Sequence, residues 1–144
     1  SAAQVPSSAE PVFVYVSGVQ GPKTVHIPGQ PFSIDVAVDK TTNLYCYLVD
    51  ENKALNQFFP NALQPQPLVQ GGTRMQFPGD FPFNLVASRR GITETVACYA
   101  SPKALGAEPL KGLNTVPNTE ALTNAFSRAA GTNIGSGVYD VVSQ

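Results

Sequence analysis

Short segments with an apolar residue at every second position, each closed by proline or glycine, limit this chain to a β architecture. The cleanest runs through Phe32, Ile34, Val36 and Val38, which alternate with Ser33, Asp35, Ala37 and Asp39. A period of two describes a strand with one buried and one wet face. Leu44, Cys46 and Leu48 oppose Tyr45, Tyr47 and Val49 in the next segment. Met75 and Phe77 alternate with Arg74 and Gln76, and Leu85 and Ala87 with Asn84 and Val86. Val96, Cys98 and Ala100 share a face between Glu94 and Ala100. Val12 to Val16 is apolar on both faces, which predicts a central strand. Lys23–Ile27, Leu55–Phe59 and Val138–Val142 complete eight or nine strands. Residues 60–72, with Pro60, Pro65, Pro67 and Gly71-Gly72, read as an irregular loop or edge.

Only the C-terminal part changes period. Leu122, Ala125, Phe126 and Ala129 recur at helical spacing, after Asn118 as N-cap and before Gly131 as a stop. A helix over about 119–130 is expected. Strands at intervals of about 8–12 residues predict a mainly β fold, an immunoglobulin-like β-sandwich or small barrel. Residues 11–144 read as one domain behind a disordered leader, residues 1–10. Ser1-Ala2-Ala3-Gln4 reads as a start left by a removed export signal.

Charge excludes some partners. Charged residues make up 13% of the chain and nearly cancel, with a net charge of -1. No field draws in nucleic acid or anionic lipid, and no apolar run reaches the ~20 residues of a membrane helix. Arg89-Arg90, the one adjacent basic pair, reads as a solvated hairpin tip and a candidate partner contact.

Catalytic and metal sets are not visible. His26 is the only histidine and reads as a surface or strand-edge residue; no Gly-x-Ser-x-Gly elbow accompanies it. One histidine and two cysteines supply no zinc set, and the carboxylates scatter over turns. The run from Gly131 to Gly137 is glycine-rich, but it follows the helix where a phosphate cradle would precede one; it reads as a flexible link. A non-enzyme with no cofactor and no metal is the expectation.

Cys46 and Cys98 are either one disulfide or two buried thiols. A sandwich brings the inward faces of distant strands within bonding reach. The loop so closed, about 50 residues, is worth roughly 4 kcal/mol in the chain-entropy picture. A bond would place the protein in an oxidising compartment such as the periplasm. Among aromatics, Tyr45 and Tyr47 share a face, while Phe58 and Phe59 should point oppositely and leave one ring exposed. Exposed rings suit a protein or sugar partner; packing beneath the helix is the competing reading.

One ordered set of motifs is more specific. It runs Asn43-Leu44-Tyr45-Cys46-Tyr47-Leu48-Val49-Asp50, Phe58-Phe59-Pro60-Asn61, Val69-Gln70-Gly71-Gly72, Met75-Gln76-Phe77-Pro78, and Gly91-Ile92-Thr93-Glu94-Thr95-Val96-Ala97-Cys98-Tyr99-Ala100-Ser101. Over about residues 33–105 this resembles the bacterial domain-of-unknown-function 4384 family. The resemblance implies an accessory module of the kind attached to caspase-like peptidases, kinases and exported or lipid-anchored envelope proteins. It carries over no catalytic residue. Asn43 stands where the family pattern has glycine, and Cys46 and Cys98 where it has plain apolar residues, a departure that suits an exported, stapled member. The expected function is a protein-interaction domain of a Gram-negative cell envelope, within a secretion or surface assembly. A glycan- or peptidoglycan-binding module using Tyr45, Tyr47 or Phe59 is the alternative, and a hydrolase the third reading.

Overall fold

The structure is a computed structural model that describes residues 12–18, 25–105, 118–131 and 134–144. The expected leader, residues 1–10, lies outside the described residues. In chain order the elements are β1 (Val14–Gly18), β2 (Val25–His26), β3 (Pro31–Phe32), β4 (Ile34–Val38), β5 (Thr42–Val49), β6 (Leu55–Phe59), β7 (Leu68–Val69), β8 (Arg74–Phe77), β9 (Leu85–Val86), β10 (Thr93–Ser101), α1 (Thr119–Ala130) and β11 (Gly135–Ser143).

Three strands, β1-β4-β8, form one sheet. A six-stranded sheet runs β2-β11-β10-β5-β6, with β7 also on β5, and β3 pairs β9. The larger sheet ends at β2 and β6, so no barrel closes. All pairings are antiparallel except β2 with β11.

The alternation explains the layering. Ile34, Val36 and Val38 of β4 turn the same way and meet Cys46, Val96, Cys98 and Val141 of the larger sheet in one buried cluster. The opposite face of that sheet carries Tyr45, Tyr47, Ala97 and Tyr99, and α1 covers it with Leu122 and Phe126. The fold is therefore a sandwich with a third, helical layer. Strand β5 is apolar on both faces because both are covered.

α1 follows its end signals. Asn118 Oδ1 accepts the Ala121 N–H at 2.9 Å, and Gly131 closes the helix at φ 70°, donating its N–H to Ser127 O. Leu122, Ala125, Phe126 and Ala130 are buried. Phe126 sits 4.5 Å from Tyr99 and 5.7 Å from both Tyr45 and Tyr47 between ring centres.

Two expectations need correction. The first segment is not central: β1 ends its sheet, pairing only β4, and Phe13 and Tyr15 are each 59% exposed. Its second apolar face consists of these two rings, 6.4 Å apart, which stay in solvent. The glycines near Ile134 are not a link either. Gly135 and Gly137 belong to β11 and pair Ala100 and Cys98. A side chain at Gly135 would fall on the Val12 carbonyl. At Gly137 it would lie 2.6 Å from the Val14 carbonyl oxygen and 3.0 Å from a Val16 methyl. Bare backbone there lets β1 lie directly on β11.

A test follows from that contact. Gly137→Ala should lower stability by about 1–3 kcal/mol, the usual cost of forcing extra atoms into a packed site. Urea unfolding monitored by circular dichroism measures it, and an unchanged midpoint would show that β1 can lift away freely.

Candidate functional site

The cysteines are bonded to each other. Their route together differs from the expected one. They do not bridge facing sheets: the β5–β10 register sets Cys46 directly opposite Cys98 within one sheet, at a Cα separation of 4.1 Å. That spacing is of the narrow kind of antiparallel pair, whose side chains approach closest. Both residues are fully buried.

The aromatic candidates are core. Tyr45 and Tyr47 lie under α1, and Tyr45 Oη accepts the Leu105 N–H at 2.7 Å. Burial, reinforced by the neighbouring Tyr45 and Tyr99, pushes the Tyr47 hydroxyl well above its ordinary range. Phe58 and Phe59 are both buried as well, against the expectation that one faces out. The reason is a bulge: Tyr47 pairs Gln57 while Cys46 pairs Phe59, so Phe58 is the extra residue. Both rings consequently reach Phe77, at 5.0 and 5.7 Å. A glycan site built on Tyr45, Tyr47 or Phe59 has no surface to work from.

Arg89 and Arg90 are exposed at the expected tip, and Arg89 pairs Glu51 at 3.2 Å. An exposed pair of this kind contributes little to stability.

His26 meets the strand-edge expectation but not the surface one. It sits on the edge strand β2 but turns inward and is buried. Its Nε2 lies 2.8 Å from Tyr139 Oη, and its ring centre 4.9 Å from that of Phe32. Opposite it in register is Ser143, whose buried Oγ has no hydrogen-bond partner among the described residues. Burial holds the imidazole below its ordinary value of 6.5. The unfolded chain thus takes up a proton near pH 6.5, where the folded one resists it. The contribution of neutral His26 is complete above that pH and declines as pH falls below it. Glu94 works in the opposite sense: burial, with Asp50 and Glu51 nearby, raises its carboxyl above 4.5, so stability from its protonation is lost as pH rises through the raised value. The comparison with His26→Gln isolates the histidine. The melting temperature of the unaltered protein should fall more steeply than that of the variant between pH 7 and pH 5, and parallel curves would contradict the burial.

A concave feature lies at the open edge of the larger sheet. Between β6 and the segment Phe83–Leu85 is a cleft of about 350 Å³, lined by Leu48, Asn56, Gln57, Phe58, Asn61, Phe83, Asn84 and Leu85. Its described lining is carboxamides over apolar residues, with no charge among them. A shallower hollow of about 500 Å³ lies at Leu63, Gln64, Met75, Gln76, Gly79, Asp80 and Phe81. The only hint of the cleft in the sequence is the polar pair Asn56-Gln57 inside an otherwise apolar strand. Among the described residues no group of three His, Cys, Asp or Glu side chains could hold a metal, and no helix is long and apolar enough to cross a membrane.

The family model described as Domain of unknown function (DUF4384) matches residues 25–104. The chain belongs to the DUF4384 family. No curated protein and no solved structure matches it. The matched DUF4384 segment holds β2 to β10 and both walls of the cleft, whereas β1, α1 and β11 lie outside it.

Proposed function

We propose that this DUF4384 domain is a non-catalytic protein-interaction module of a Gram-negative cell-envelope protein, periplasmic or lipid-anchored, serving a secretion or surface assembly. The observation that carries the reading is the Cys46–Cys98 bond at the centre of the sandwich, since structural disulfides persist where the surroundings are oxidising. The near-neutral surface and the uncharged cleft support a protein partner over nucleic acid or anionic lipid.

The test uses a tagged chain exported to the periplasm of a Gram-negative host. Acid-quenched cells, denatured in the presence of an alkylating agent so that buried thiols are reached too, should leave Cys46 and Cys98 unlabelled. Cross-linking in the same cells should capture a defined partner. Labelled cysteines would remove the envelope assignment, and repeated cross-linking without a specific adduct would remove the interaction role.

A further inference from the structure

The geometry points to the cleft beside β6 as the docking site for an extended, uncharged segment of a partner protein, added to the sheet as a new strand. The inference rests on the interaction role proposed above and names its surface.

Among the described residues strand β6 is the last in its sheet. Asp50 N–H donates to Ala54 O at 3.1 Å, which fixes the hydrogen-bonding phase of the β5–β6 hairpin. By antiparallel alternation Leu48 and Asn56 form the next bonded pair. Leu55 and Gln57 therefore turn their N–H and C=O groups outward, away from β5. The free stretch has a definite end, because Asn61 Nδ2 donates to Phe58 O at 3.0 Å. A strand laid along this edge would send every second side chain towards the cleft, whose apolar lining is Leu48, Phe58, Phe83 and Leu85. Asn84, on the far wall, is exposed. The described lining has no ion to pair a charged side chain, so the incoming residues are small, apolar or hydroxylic. Backbone bonds supply affinity in such strand addition, and the pockets for alternate side chains supply selectivity. Sugar hydroxyls donate and accept too, but only a β-strand repeats the alternating N–H and C=O spacing of the outward backbone pairs.

The probe is an acetylated, amidated octapeptide of alternating threonine and valine, titrated into the ¹⁵N-labelled chain. Amide shifts concentrated at Leu55, Gln57, Asn84 and Leu85 are expected, and the same peptide with prolines replacing two valines should produce none. Gln57→Pro removes an outward N–H without touching the β5 ladder and should weaken binding about tenfold, the loss of roughly one hydrogen bond. Should that variant fail to fold, Asn84→Arg, an exposed change, must weaken binding while keeping the melting temperature. Absence of shifts at β6 overturns the assignment. So does binding of a chitin-type trisaccharide there in place of the peptide, or shifts that follow protein concentration alone and assign the edge to a second copy. In the cross-linking experiment, a partner captured equally by the unaltered chain and by Asn84→Arg sinks the cleft but spares the interaction role; loss of every partner from the unaltered chain sinks that role itself.

Discussion

Cutting the chain after Gly131 should abolish the folded domain. β11 sits between β2 and β10, pairing β10 from Thr93↔Val142 to Ala100↔Gly135 and β2 at His26. Its loss leaves a long central edge of β10 unpaired, and each ladder hydrogen bond contributes about 1 kcal/mol net. It also strips Tyr139 and Val141 from the core, where a buried apolar side chain is worth about 1.5–3 kcal/mol. The backbone surface on which β1 rests disappears with Gly135 and Gly137. These losses together reach the entire net stability of an ordinary domain, about 5–15 kcal/mol. The truncated chain should show a collapsed amide spectrum and no cooperative urea transition. A cooperative transition in that chain would mean that the family segment closes its own core, and that β11 is an accessory.

Most of the architecture was legible because it rests on local period. The alternation in β4, β5 and β10 survives intact, since each strand keeps one face on the same core. α1 begins and ends at its signals because capping involves only near neighbours. Failures arose where neighbours in space decide. Phe13 and Tyr15 look like a second buried face, yet no described layer covers them. The Phe58 bulge is a matter of register with β5, which a strand's own residues do not encode. Gly135 and Gly137 look like a linker until β1 is seen lying on them. The cysteine partners were legible, but the route was not: facing sheets and adjacent strands produce the same alternating pattern. The cleft was hidden for a related reason. Its walls, β6 and Phe83–Leu85, are far apart in sequence and meet only in the folded chain.

Replacing Cys46 and Cys98 together by alanine should cost about 4 kcal/mol of stability, from the unfolded-state freedom regained when a 52-residue separation is no longer closed. For a domain of this size that corresponds to a fall of about 8–16 °C in melting temperature. The double change is the proper one, because a single substitution leaves a buried thiol and confounds the reading. Alanine is preferred to serine, whose hydroxyls would be buried without partners between β5 and β10. The variant should still fold, since the ladder from Thr95↔Val49 to Ser101↔Asn43 holds the two strands in register without the bond. Because both sulfurs are fully buried, a reductant reaches them only when the sheet opens, so reduction under native conditions should be far slower than in denaturant at the same reductant concentration. Protein reduced in denaturant and refolded with its thiols blocked from reoxidising should melt near the alanine variant. A shift of less than about 2 °C, below even 1 kcal/mol for a domain of this size, would show that the ladder alone sets stability.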